Sequence, residues 1–274
     1  MAGPLGAGDR SPDLSSRLVG LCLDANEPLR LARFWAAALL WEISDETDEE
    51  IGLVPTDGTP FLFSFRPVGE PKAGKSRLHL DLVSESPDHQ SEMVDRLVAL
   101  GAQHVDIGQS SDDDHVVLAD PEGNEFCGVL RGDFLATTGL LGAIVFEPAD
   151  PVVGRFWSEA AGWPMVYEQD GDTAIRAPDG RGPFVTFGPP TGPVKTGKNR
   201  LHFDIAPPAD GDQAAEVERL IELGARRIDI GQGAVPWVVM ADPEGNELCV
   251  LTPRKCFVQT VSRALIARRS SMAR

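Results

Sequence analysis

The sequence is poor in cysteine. Its 274 residues include only Cys22, Cys127, Cys249 and Cys256, and no two of these form a CxxC pair. Zinc fingers and dithiol redox motifs depend on that spacing, so neither class of site fits. A disulfide scaffold is excluded by the same low count. We therefore expect the protein to work in the reducing cytoplasm.

Basic residues are also scarce. The chain has 25 Lys+Arg against 42 Asp+Glu, which gives a formal net charge of -17. Nucleic acids and anionic membranes would be repelled by this charge, so we expect neither as a partner. The charge is uneven, because residues 253–274 form a tail with six basic residues and no acidic residue, which leaves -23 on the rest of the chain.

Long apolar runs are missing as well. No stretch approaches the roughly 18 apolar residues that a membrane span requires. The first 17 residues are rich in Gly, Ser, Pro and Asp and lack the apolar segment of a signal peptide. The sequence therefore predicts a soluble protein with a flexible N-terminal arm, and its length is that of roughly two domains.

An internal repeat defines those two domains. Residues 75–82 (KSRLHLDL) return at 198–205 (KNRLHFDI), and residues 119–125 (ADPEGNE) return at 241–247 without change. The two copies are collinear with a shift of 122 or 123 residues. We divide the chain into an arm (1–17), a first domain (18–130), a linker (131–139), a second domain (140–252) and a basic tail (253–274).

Each copy divides again into two similar halves. In the first half of copy one, apolar runs predict strands at 18–23, 51–54 and 61–65, helical spacing predicts a helix at 28–40, and the acidic segment 44–50 reads as a loop. In the second half, Ser86 and Pro87 begin a helix that Gly101 ends. Short strands surround it, so each half has the order strand, helix and three strands.

Three motifs recur in both copies in the same order. They are Phe-Trp with a later Trp on the first helix, Lys-x-Arg-Leu-His-x-Asp at the start of the second module, and Asp-Pro-Glu-Gly-Asn-Glu-x-Cys at its end. With the βαβββ modules, they resemble the glyoxalase-like subset of the vicinal oxygen chelate superfamily, which includes bleomycin-resistance proteins and extradiol dioxygenases. The resemblance implies an α+β fold with a tandem pair of glyoxalase-like domains. Each would pair two modules of one copy into a half-open mixed β-barrel.

Strand parity places the polar residues of each copy on one face. Arg77, His79 and Asp81 alternate with leucines, and so point away from the leucine side. A solvated surface is one interpretation of such a face, whereas the resemblance implies that it lines a ligand pocket. The candidate ligand-binding residues are Arg77, His79, Asp81, His115, Glu125, Cys127, Arg200, His202, Asp204, Trp237, Glu247 and Cys249.

A metal site is difficult to complete. The resemblance implies one ligand from the first and last strand of each module, but two of these positions fall on Gly20 and Gly142. Histidine and cysteine alone leave each copy one ligand short, so we expect no metal cofactor. If a divalent metal is bound, a glutamate would supply the third ligand, and the ligand residues would be His79, Glu125, Cys127, His202, Glu247 and Cys249.

The tryptophans divide into two groups. Trp35, Trp41, Trp157 and Trp163 lie on or just beyond predicted helices, so we expect them in the core. Trp237 stands where the first copy has His115, and we interpret this difference as a specificity position.

Three functions remain open. The first is metal-independent binding of a small organic molecule, which requires neither a complete set of metal ligands nor a catalytic base. The second is a metal-dependent lyase, isomerase or extradiol-type dioxygenase, in which the ion would polarise substrate oxygens. The third is metal-free acid–base catalysis by a histidine–carboxylate pair. The expected partner is a small molecule, and the chain is expected to be either a monomer with internal pseudo-symmetry or a homodimer.

Overall fold

The fold is seen in a computed structural model, which describes residues 16–110, 114–147, 150–188, 195 and 197–254. Most of the predicted N-terminal arm, almost all of the basic tail, and Cys256 lie outside these residues. None of the helices described is long and apolar enough to cross a membrane.

The first copy contains two βαβββ modules. Its first module consists of β1 (Arg17–Ala25), α1 (Pro28–Leu39), β2 (Glu42–Glu46), β3 (Ile51–Val54) and β4 (Leu62–Pro67). Its second module consists of β5 (Leu78–Ser84), α2 (Pro87–Leu100), β6 (Gln103–His104), β7 (Val116–Ala119) and β8 (Glu125–Leu130). A short 3-10 helix, Asp133–Leu135, lies in the linker.

The second copy repeats this order. Its first module consists of β9 (Leu141–Phe146), α3 (Pro151–Ala161), β10 (Met165–Gln169), β11 (Asp172–Ile175) and β12 (Phe184–Phe187). Its second module consists of β13 (Leu201–Ala206), α4 (Gln213–Glu222), β14 (Arg226–Arg227), β15 (Val238–Ala241) and β16 (Glu247–Val250).

Local sequence explains most of these boundaries. The Ser86 side chain accepts a hydrogen bond from the backbone N–H of His89, Pro87 occupies the first turn of α2, and Gly101 ends the helix at φ 114°. The predicted loop at 44–50 is wrong in its first half, because β2 continues to Glu46. That segment pairs with β3, and cross-strand hydrogen bonds there outweigh its acidic composition.

The strands form two eight-stranded mixed sheets. The first sheet has the order β14-β15-β16-β13-β1-β4-β3-β2, and the second has the order β10-β11-β12-β9-β5-β8-β7-β6. The predicted α+β fold with four modules in two half-open sheets is confirmed. The prediction that the modules of one copy pair with each other is wrong: β1 pairs with β13, and β5 pairs with β9. Each sheet therefore takes one module from each copy.

A continuous apolar core holds the two sheets together. Phe146 of the second sheet packs against Phe203 of the first, with ring centroids 5.5 Å apart and the rings tilted by 36°. Trp35 and Trp157 are almost completely buried in this core, and Trp41 and Trp163 are buried as well, so the predicted packing role of all four is confirmed. Because both leucine-bearing faces are buried in this core, the faces that carry the histidines point away from it.

Candidate functional site

The polar face of the second sheet brings three predicted site residues together. Asp81 on β5 lies beside Cys127 on β8, and His79 is two residues along the same strand. The Nε2 atom of His79 is 3.4 Å from Oδ1 of Asp81, which is the geometry of an ion pair, and this buried oxygen accepts no hydrogen bond. These three side chains form the second-sheet cluster.

The imidazole of the second-sheet cluster is positively charged. Burial lowers the pKa of His79, but its interactions with Asp81 and Cys127 are stronger and raise that pKa to about 10. The imidazolium is therefore the local counter-ion of Asp81 at neutral pH.

The polar face of the first sheet carries the same three residue types. His202 and Asp204 on β13 lie near Cys249 on β16, and these side chains form the first-sheet cluster. The Nε2 atom of His202 is 3.6 Å from Asp204 Oδ1 and 3.6 Å from Cys249 Sγ. Cys22 on β1 lies directly across from His202 and belongs to the other copy. Sequence analysis missed Cys22, because the strand that would face His202 could not be identified.

The imidazole of the first-sheet cluster is neutral. Burial, together with the positive charges of Lys198 and Arg66, lowers the pKa of His202 to about 3. Burial raises the pKa of Asp204 to about 6, although Arg66 lowers it. Burial also raises the pKa of the Cys249 thiol, and the charge of Asp204 adds to that effect. The cluster is therefore nearly uncharged below pH 6 and depends on Arg66 for a counter-ion above it.

Arg66 and Trp237 close the first sheet. Arg66 extends from β4, pairs with Glu50, and places its guanidinium 4.5 Å from the centre of the Trp237 ring. Trp237 comes from the segment before β15 and packs against a small buried cluster that includes Cys249. Side chains from the two ends of the sheet thus meet across its polar face.

Within the part of the second sheet that the structure describes, this bridge has no counterpart. The residue that follows Phe187 on β12, in the place of Arg66, is Gly188, and His115 stands in the place of Trp237. A cleft of about 1450 Å³ has Arg66, Trp237 and His79 in its lining. Among the described residues, its lining includes neither Asp204 nor Cys249 of the first-sheet cluster and neither Asp81 nor Cys127 of the second-sheet cluster. We call the polar face of the first sheet the filled face and that of the second sheet the open face.

A family model for the glyoxalase-like domain matches the chain twice, over residues 20–129 and 143–251. The chain belongs to the glyoxalase-like domain family. It is a two-domain member of the vicinal oxygen chelate superfamily, in agreement with the resemblance read from its motifs. No curated protein matches the chain in sequence.

Solved structures share the glyoxalase-like fold. Glyoxalase I from Zea mays superimposes with a TM-score of 0.60 and 15% identity, covering 87% of this chain and 92% of that one. A candidate dioxygenase from Bacillus subtilis has a TM-score of 0.56 and 14% identity, covering 88% of this chain and 86% of that one. Identities this low establish the fold and leave the activity to be argued from the site.

Both the first-sheet cluster and the second-sheet cluster have the composition of a metal site. In each cluster, one ligand atom from each of the three residues lies within 4.8 Å of the others. The sequence argument counted two ligands in each copy, and the aspartates Asp81 and Asp204 supply a third. Three protein ligands of these types suffice for a divalent ion with an open position. In each cluster the aspartate Oδ1 is buried without a hydrogen bond, and the first-sheet cluster fits an ion better because His202 is already neutral.

Glu125 and Glu247 lie outside these clusters. Lys72 donates a hydrogen bond of 2.8 Å to Glu125, and the backbone N–H of Ser76 donates a second. Glu247 accepts equivalent bonds from Lys195 and the N–H of Asn199. Both glutamates therefore anchor the loop before the histidine strand.

Arg77 and Arg200 join the two copies. Arg77 pairs with Glu244 at 2.7 Å, and Arg200 pairs with Glu122 at 2.6 Å. Each glutamate belongs to the Asp-Pro-Glu-Gly-Asn turn of the opposite copy, and each also accepts a backbone N–H at the start of α1 or α3. The arginines thus have a structural role in the cross-copy assembly, apart from any ligand.

The open face is also lined by residues that were not predicted from the sequence. In the register of the second sheet, Phe184 on β12 lies beside Ala143, which itself lies beside Asp81, so the three share a face. Phe134 of the linker stacks on Phe184 at 4.3 Å, and Tyr167 packs edge-on against Phe134. Tyr167 and Phe134 are 39% and 42% exposed, which gives the open face an accessible aromatic wall. Only the pairing of β9 with β5 brings this wall beside the cluster, and sequence alone did not reveal that pairing.

Proposed function

We propose that the protein binds one small organic molecule on the open face of its second sheet, and that the filled face has a structural role. The observation that carries this proposal is the Arg66–Trp237 bridge, which has Gly188 and His115 in its place on the second sheet. A small-molecule site needs a concave surface with apolar walls and a few polar groups. The open face offers Tyr167, Phe134 and the second-sheet cluster.

A thermal-shift screen of small aromatic acids, amines and amides tests this function. A ligand at 100 times its Kd stabilises the folded protein by about 2.7 kcal/mol. Thr186, half-buried on β12, lies beside Val145, which faces His79 across β9 and β5. We expect Thr186→Trp to weaken any hit at least tenfold, because the indole would occupy the open face. Leu40→Trp, at a position 67% exposed on the outside of the molecule, is the control and should leave affinity unchanged.

Two results would contradict this function. One is a screen without any stabilising compound. The other is a set of hits whose affinity is the same in Thr186→Trp and in the wild type.

A metal-dependent lyase, isomerase or dioxygenase is the second candidate, and the two three-ligand clusters favour it. A divalent ion held by His, Asp and Cys would polarise adjacent oxygens of a substrate. The protein's own residues would orient that substrate against the aromatic wall. Elemental analysis of protein purified without chelator decides this candidate: less than one ion per chain, with a melting temperature unchanged by EDTA, removes it.

Metal-free acid–base catalysis fits less well. A general base must be unprotonated at working pH. His79 is protonated because its pKa is raised to about 10, and His202, which is neutral, lies under the filled face.

A further inference from the structure

The filled face contains a flat cation supplied by the protein itself. The Arg66 guanidinium pairs with the carboxylate of Glu50 and stacks on the ring of Trp237, with its carbon 4.5 Å from the ring centre. Its charge also acts on Asp204 at the floor of the face. One carboxylate and an aromatic ring thus contact this planar cation, and a second carboxylate is affected by its charge.

The open face keeps the acids of this arrangement and has Gly188 in the place of Arg66. Its own arginine, Arg176, lies over Phe184 at 4.4 Å and donates hydrogen bonds to Thr137 and Gly182. Asp172, just before Thr173 on β11, stands in the place of Glu50, and Asp81 stands in the place of Asp204. Asp172 is half-buried and forms no ion pair with any of the described residues. The side chain of Asp81 is 17% exposed, against 8% for Asp204. Asp81 is therefore less covered than its counterpart Asp204.

On the second sheet, Gly188 provides no side chain to occupy the space that the Arg66 side chain occupies on the first sheet. A Cβ atom built on Gly188 would lie 3.9 Å from the carbonyl oxygen of Phe146, with no other atom within 4 Å. A Cβ atom would fit there without a clash, so neither crowding at this atom nor a left-handed backbone requires a glycine.

We infer that the open face binds a small molecule with a flat cationic group, such as a guanidinium or an amidinium, in the position that Arg66 occupies on the filled face. This inference rests on the proposed function and adds the class of ligand. The cation would lie between Asp172 and Asp81, and its planar group would contact His115 in the place of Trp237. The chain's net charge of -17 would attract such a ligand at long range.

Isothermal titration of the full chain with benzamidine, a planar aromatic amidinium, tests the inference. We expect one benzamidine per chain in the wild type, and at least tenfold weaker binding of benzamide, which has the same shape without the charge. Gly188→Arg should fill the open face with its own cation and lower benzamidine affinity at least tenfold. Gly188→Ala is the matched backbone control and should bind as the wild type does.

Arg66→Gly provides an independent variant on the other sheet. It removes the built-in cation, so we expect a second benzamidine site per chain. This variant keeps the inference testable if Gly188→Arg fails to fold.

The inference is overturned if folded wild type does not bind benzamidine, if benzamide binds equally well, or if a folded Gly188→Arg variant keeps wild-type affinity. Its failure is distinguishable from failure of the proposed function. Neutral or anionic screening hits that Thr186→Trp abolishes would uphold the open face as a binding site and reject the cationic ligand.

Discussion

The two sheets carry the same histidine, aspartate and cysteine in the same register, yet one imidazole is charged and the other is neutral. His79 is an imidazolium beside Asp81, and His202 is neutral beside Asp204. Burial lowers the pKa of both imidazoles, but Asp81 and Cys127 outweigh that effect at His79, whereas the charges of Lys198 and Arg66 add to it at His202. Lys198 belongs to the same copy as His202, and Arg66 belongs to the other copy. The same three residue types therefore differ in charge according to their burial and to the cations around them.

The largest expected effect concerns stability at alkaline pH. The pKa of His79 is raised from an ordinary 6.5 to about 10, so its stabilising contribution is complete below pH 6.5 and is lost as pH rises to 10. At about 1.4 kcal/mol per pKa unit, this loss amounts to several kcal/mol. Urea denaturation between pH 6 and 10 should show a smaller loss in His79→Gln than in the wild type.

His202→Gln is the matched control for this experiment. The lowered pKa of His202 costs stability only as pH falls from 6.5 towards 3, and the raised pKa of Asp204 opposes that loss between pH 6 and 4. The control should therefore keep the alkaline loss of the wild type. An equal change in both variants would contradict the difference between the sheets.

The next effect should be the same in both copies. Asp242 accepts hydrogen bonds from the backbone of Glu244 and Asn246 and from Trp157 Nε1, and Asp120 makes the equivalent bonds with Trp35. Removing a buried carboxylate that satisfies several donors should cost about 3 kcal/mol of unfolding free energy. We expect Asp120→Ala and Asp242→Ala to be destabilised by similar amounts in urea. A large loss in only one of them would show that the asymmetry extends to the turns.

The smallest effect concerns the closure of the filled face. Trp237→Ala removes a half-buried indole and its cation–π contact with Arg66, so we expect a loss of about 2 kcal/mol in stability. His115→Ala, at the equivalent position on the second sheet, should cost roughly 0.5 kcal/mol or less. Equal losses in thermal or urea unfolding would remove the distinction between filled and open faces.

Much of this fold follows from the sequence. The repeat located all four modules, strand parity placed His79 and Asp81 on one face, and Ser86 with Gly101 marked the ends of α2. These are local signals, because alternation and capping depend on residues close together in the chain.

The remainder depends on long-range pairing. Nothing in the spacing of β1 indicates that it pairs with β13, some 180 residues later, rather than with β5 of its own copy. Without that pairing, Cys22 and Arg66 could not be placed near His202, nor Tyr167 and Phe184 near His79. The one usable signal was a difference between copies, as at Trp237 and His115. The same comparison applied to Arg66 and Gly188 would have found the residue that distinguishes the two faces.

An NMR titration of the histidine imidazoles measures the charge difference between the two clusters. His79→Gln and His202→Gln assign the two resonances, and the wild-type spectra are followed from pH 4 to 10.5. We expect His79 to remain protonated until about pH 10 and His202 to stay neutral down to pH 4. Two imidazoles that titrate together near pH 6.5 would contradict it.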